Sequence, residues 1–125
     1  MPLGPGRIEA PIARRGDSII GRCVRADGKY SLTEYTVLAA GHGHSLAACI
    51  PRTGRTHQIR VHMAYIGHPL LGDVVYGAKK PVRGLAGQCL HARRLSFVHP
   101  SAGTRVTVEC PLPDYFSQAL RKLAR

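Results

Sequence analysis

The run Thr53-Gly54-Arg55-Thr56-His57-Gln58-Ile59-Arg60-Val61-His62 gathers two arginines, two histidines, a glutamine and a glycine turn at the entry of a segment with helical periodicity. A helix that starts after such a turn offers free backbone N–H groups and a positive dipole end, so a phosphate can be held there with little else. Arg55, in the turn, is placed to clamp a phosphate. Arg60, one turn further and off the apolar stripe, can hold a carboxylate or a base edge. Each has a plainer reading, Arg55 as a surface cation and Arg60 as half of an ion pair that fixes the helix. The run continues into Gly67-His68-Pro69-Leu70-Leu71-Gly72-Asp73 and Tyr76-Gly77.

The rest of the chain suits an anionic partner. Its 125 residues carry 18 Lys and Arg against 7 Asp and Glu, a net charge of +11, with a pI near 10.3. That balance favours a polyanion or an anionic surface. Arginine outnumbers lysine, which suits bidentate contacts to phosphates and bases. His57 and His62 are five apart and fall on different sides of a helix, which makes them poor joint metal ligands; His68, His91 and His99 lie near expected turns or strands. No metal site is expected. Glycine-rich nucleotide loops are absent from the sequence. Cys23, Cys49, Cys89 and Cys110 have no C-x-x-C spacing and read as small apolar residues in a reducing compartment. With no apolar stretch of membrane-spanning length, the chain reads as soluble and cytoplasmic.

The elements that must position this run follow from periodicity. A length of 125 residues and 44% hydrophobic content fit one domain or a large piece of one. Residues 7–13 suit a short strand, and 14–30 a polar loop with a turn at Asp27-Gly28. Period-two alternation over 33–40 and 45–52, joined at Gly41-His42-Gly43-His44, predicts a hairpin with Tyr35, Val37, Leu46, Ala48 and Ile50 inward. A helix is expected over 56–66, with Ile59, Met63 and Ile66 on one face and His57, Arg60 and Ala64 on another, ending at Gly67. A second hairpin over 89–98 and 104–110 follows. An amphipathic helix over 113–123 is expected to dock on it. The class is α+β, with a mostly antiparallel sheet, one helix in the motif and one at the C-terminus.

The segment from Thr53 to Gly77 resembles the signature of the RluA-like pseudouridine synthases, which isomerise uridine in ribosomal or transfer RNA. The resemblance extends along nearly the whole chain. Gly6-Arg7-Ile8-Glu9-Ala10-Pro11-Ile12, Gly28-Lys29 with Thr33-Glu34-Tyr35, Leu90-His91-Ala92, Phe97 with His99-Pro100, and Pro111-Leu112-Pro113 all resemble elements of that family. The resemblance implies part of the pseudouridine synthase catalytic fold and an RNA partner. It implies neither cofactor nor metal. It also assigns roles: Arg60 would pair with the nucleophilic aspartate, Leu90 would lie against the uracil pocket, and Arg55, Thr56 and His57 would lie near the RNA backbone.

One departure matters. In the family the nucleophile stands in a His-Arg-Leu-Asp-x-x-(Thr/Ser)-Gly motif upstream of the G-x-I strand, and none of Glu9, Asp17, Asp27, Glu34, Asp73, Glu109 or Asp114 stands in that context. Asp73 matches a position that holds the loop after the helix. The expectation is therefore the C-terminal part of a catalytic domain, with Arg60 awaiting an aspartate from outside these residues. Such a piece should leave a sheet border unpaired and self-associate. A non-catalytic basic RNA-binding module and a small basic structural protein are the competing readings.

Overall fold

The computed structural model describes residues 1–15, 21–41, 43–77, 88–92, 94–98, 105–109 and 112–124. Alternating residues over 32–51 form the expected hairpin: β4, Leu32–Gly41, runs antiparallel to β5, His44–Pro51. On the other side β4 pairs antiparallel with β1, Gly4–Glu9, so a three-stranded sheet has the order β1-β4-β5. The expected single strand over 7–13 is broken at Ala10-Pro11, where proline supplies no ladder N–H. Its second half is β2, Ile12–Arg14, which pairs with β3, Arg22–Val24, inside the stretch expected to be loop. Ile8, Ala10 and Ile12 keep one period through the break, and all three are buried.

The second arm of the main hairpin departs from expectation. Tyr35 lies opposite Cys49 and Val37 opposite Ala47, and the register then shifts between Val37 and Ala39 so that Ala39 faces Leu46. Opposed residues share a face, so Cys49 and Ala47 accompany the inward Tyr35 and Val37. Ile50, expected inward, is 52% exposed, and Leu38 is 56% exposed beside the irregularity. A one-residue slip sends every side chain of a strand to the other face.

The central helix, α1, covers Gln58–Tyr65 and is capped by Ile66. Gly67 takes φ 85°, and the N–H groups of Gly67 and His68 donate to the carbonyls of Ala64 and Met63. This is the paired ending that a left-handed glycine makes possible. Met63 joins Ile8 and Ala10 in the core, with Ile59 and Ile66 packed against them. Val61, Gln58 and His62 are buried as well, a wider face than expected.

The second hairpin is β6, Arg94–Val98, antiparallel to β7, Arg105–Glu109; its expected turn at 99–103 and Cys110 fall outside the described residues. The last helix, α2, covers Asp114–Ala124 and lies against β4 and β5 of the first sheet. An apolar stripe declares that a face will be covered without naming what covers it. No helix among the described residues is long and apolar enough to cross a membrane.

Gly28 holds β2 and the turn together by close approach. A Cβ there would meet the Ile12 backbone at 2.6 Å, while Ile12 and Lys29 exchange two backbone hydrogen bonds across the same point. Backbone cannot step aside as a side-chain tip can. Gly28→Ala is therefore expected to cost about 1–3 kcal/mol, as overpacking does. Urea unfolding of both forms measures it, and an unchanged midpoint would contradict the close approach.

Candidate functional site

Two residues of the chemically rich run turn inward as scaffolding. Gln58 Oε1 accepts from the Thr53 hydroxyl at 2.6 Å and the Arg55 backbone N–H at 3.0 Å, and its Nε2 donates to Leu32 O and Thr33 Oγ1, both at 2.9 Å. His62 Nε2 lies 2.9 Å from Ala10 O, which only a protonated Nε2 can satisfy, so Nδ1 accepts the Thr33 hydroxyl proton at 2.8 Å. Burial holds the His62 pKa below its ordinary value, against the smaller upward pull of the Ala10 carbonyl. The chain Gln58, Thr33, His62 and Ala10 thus ties α1 to β1 and β4 through buried bonds. Sequence reasoning treated Gln58 and His62 as part of the chemical run. Their spacing of four, flanking Val61 and Met63, was the available signal for a shared inward face.

The outward residues meet around Tyr76. His57 precedes α1 with φ 55° and ψ 25°, left-handed for a non-glycine residue, and has no side-chain cap bond. Its Nδ1 lies 2.7 Å from the Tyr76 hydroxyl, and the two rings meet edge to face at 5.6 Å. The same hydroxyl oxygen also accepts from the Arg22 backbone N–H at 3.0 Å. Burial lowers the His57 pKa, helped by the nearby Arg60 and Arg22 and opposed by Asp73. The imidazole is kept neutral.

Arg60 has a carboxylate partner inside the chain. Its Nε donates to Asp73 Oδ2 at 2.9 Å and its Nη2 to Oδ1 at 3.0 Å, with the two side chains 12% and 0% exposed. Asp73 Oδ1 also accepts the backbone N–H groups of Val75 and Tyr76, each at 3.2 Å, which pins the loop after α1. Burial pushes the Asp73 pKa up, but Arg60 and those N–H groups outweigh it, and the carboxyl sits below its usual range. The Tyr76 ring lies 5.1 Å from the Arg60 guanidinium and 5.7 Å from that of Arg15. Sequence reasoning gave Arg60 no acid partner within these residues; Asp73 occupies one edge of its guanidinium. Thirteen residues of separation and the intervening turns hid this pairing from sequence reasoning.

Arg55 and Thr56 lie on a different wall. With Arg14, Arg22 and Lys29 they line a cavity of about 450 Å³. Arg55 Nε donates to Tyr30 O at 3.0 Å, which fixes its stem, and Thr56 is exposed. Arg14 and Arg22 are direct cross-strand partners in β2 and β3, so two guanidinium-bearing residues sit side by side. Leu90 is 37% exposed. Its segment is tied to the loop after α1, since Cys89 N–H donates to Leu71 O at 2.8 Å, and Leu90 O accepts the Tyr115 hydroxyl at 3.1 Å.

Residues 2–65 match the family described as RNA pseudouridylate synthase. The chain is 42% identical over 116 residues to the uncharacterized RNA pseudouridine synthase YjbO of Bacillus subtilis, an alignment that takes in 93% of this chain and 40% of that protein. It is 41% identical over 123 residues to ribosomal large subunit pseudouridine synthase D of Pseudomonas aeruginosa, covering 89% of this chain and 38% of the relative. Among solved structures, human RNA pseudouridylate synthase domain containing 1 superposes with a TM-score of 0.74 at 28% identity, over 99% of this chain and 61% of that one. The chain therefore spans about two fifths of the length of the curated relatives it matches. By sequence pattern and by fold, it belongs to the RNA pseudouridylate synthase family.

Proposed function

We propose that these residues form the C-terminal part of a catalytic domain that isomerises uridine to pseudouridine in cytoplasmic RNA, with ribosomal RNA favoured over transfer RNA. The observation that carries this reading is the Arg60–Asp73 pair under Tyr76, beside a cavity lined by Arg14, Arg22, Lys29 and Arg55. A relative at 41% identity is named for the large ribosomal subunit, which is why ribosomal RNA is preferred. In the reaction the bond from ribose C1′ to uracil N1 breaks, the base turns, and C1′ bonds to C5, whose proton leaves while N1 takes one up. Atoms and electrons balance within the substrate, so neither oxidant nor reductant enters.

Arg60 has a defined place in this reading. A guanidinium offers five N–H donors in a planar fork, and Asp73 takes two of them, one on Nε and one on Nη2. The remaining donors are the ones that a second anionic group, the nucleophilic aspartate of the catalytic domain, would meet in this reading. Asp73 fixes the orientation of Arg60; Arg60 in turn keeps the nucleophile ionised. Leu90 borders the uracil ring, and Arg55, Thr56 and His57 face the sugar–phosphate chain. The substrate nucleotide has to leave its stack to reach such a site.

The test is tritium release from RNA labelled at uridine C5, measured with this chain alone and with an added polypeptide carrying the family's aspartate motif. Release that needs the added piece supports the reading. No release in either case, with RNA binding intact, would instead make this a non-catalytic RNA-binding module. Arg55→Ala is expected to weaken RNA binding and to reduce the slope of log affinity against log salt by about one unit, the share of one phosphate contact. Binding titrations at several salt concentrations check it, and an unaltered slope would take Arg55 off the phosphate backbone.

A further inference from the structure

Resting on the RNA reading above, we propose that the cavity between β3, the end of α1 and residues 75–77 is a second RNA subsite, which stacks an unpaired base on Tyr65 and holds its phosphate with Arg15 and Arg22. The cavity is about 370 Å³ and lined by Arg15, Arg22, Val24, Val61, Tyr65 and Tyr76 among others. That volume falls within the range of small-molecule sites, about 300–1,000 Å³. Tyr76 is the residue it shares with the His57, Arg60 and Asp73 cluster, none of which lines it.

Three observations point to a base and its phosphate. Tyr65 is 60% exposed in the last turn of α1 and lines the cavity together with Val24, Val61 and the two arginines. A large aromatic ring left in water beside arginines is the kind of platform on which single-stranded bases stack. Arg15 is lodged against the Tyr76 ring, and its backbone N–H donates to Gly21 O at 3.0 Å, so the charge is fixed at the neck of the β2–β3 hairpin. Arg22, whose backbone N–H bonds the Tyr76 hydroxyl, also lines the cavity that contains Arg55. Sharing Arg22 makes the two cavities neighbours along one basic track, which a polyanion can follow and a lone nucleotide cannot.

The experiment measures binding of a labelled single-stranded RNA of about a dozen nucleotides, a length within known site sizes, to the full 125-residue chain by anisotropy at several salt concentrations. Tyr65→Ala is expected to weaken binding about tenfold, inside the range for loss of one base–aromatic stack, with the salt slope unchanged. Tyr65→Phe keeps the platform and is expected to bind like the parent. Arg15→Ala is expected to weaken binding and lower the slope by about one unit. If the parent binds RNA while Tyr65→Ala binds equally well, the subsite is overturned and the RNA reading stands; if the parent binds no RNA, both fall. Displacement of the labelled RNA by free uridine monophosphate as readily as by RNA would overturn the subsite in favour of a small-nucleotide pocket.

Discussion

Replacing Asp73 with alanine is expected to lower the unfolding free energy by about 3–5 kcal/mol, because it strands the nearly buried Arg60 guanidinium without its counter-charge. It also removes the acceptor for the Val75 and Tyr76 N–H groups, which releases the loop on which Tyr76 stands. Asp73→Asn keeps an oxygen for those N–H groups and should cost less, isolating the charge from the loop. Since folding depresses the Asp73 pKa below its ordinary value of 3.8, the pair contributes its stability above that pH. The contribution is lost as pH falls below about 3.8 through the folded value.

A double replacement separates architecture from chemistry. Exchanging both members of a buried ion pair for apolar residues of similar volume is often neutral in stability. Arg60→Met with Asp73→Leu is therefore expected to recover the part of the Asp73→Ala loss that comes from the stranded guanidinium but not the part from the Val75 and Tyr76 N–H groups, while the same pair of changes in the complete catalytic domain proposed above abolishes uridine isomerisation with RNA affinity retained. Denaturant titration and tritium release read the two effects independently. A stable and active double variant would make Arg60 a fastener of the loop and nothing more.

What could be read from the sequence was what periodicity carries locally. The β4–β5 hairpin, the span of α1 to within two residues and its glycine ending are consequences of neighbours in the chain, and they stand where expected. Elements that depend on distant partners were not legible. β3 is three residues long and exists because β2 lies beside it; nothing in Arg22, Cys23 and Val24 alone demands a strand. The inward set of β5 was misassigned because the register shift between Val37 and Ala39 has no signature in an apolar run. The same limit applies at the site. Residue types around Arg60 announced anion chemistry, but which carboxylate meets it depends on a turn that brings Asp73 back from thirteen residues away. Tyr76 was read as part of the continuing run, but its place as the ring that touches His57 and Arg60 together was not legible for the same reason.

His62 supplies the second large effect, through pH. In the folded chain its ring is fully buried, donates from Nε2 to Ala10 O and accepts at Nδ1 from Thr33, so a second ring proton would have to displace the Thr33 bond. Its pKa is accordingly lowered from the ordinary 6.5. A base that is harder to protonate when folded takes up protons preferentially in the unfolded chain. Stability is then fully present above about pH 6.5 and declines as pH falls below that, until the folded pKa is passed. His57 shifts in the same direction and adds to the decline. Denaturant titrations at about pH 7.5 and about pH 5.5 should therefore show a less stable protein at the lower pH, and His57→Asn should keep most of that difference. His62→Ala, by contrast, should remove most of it and cost about 3 kcal/mol or more at neutral pH, from buried groups left unbonded and from the cavity. Equal stability of the parent at both pH values would mean that His62 is not the buried, neutral link between α1 and the sheet.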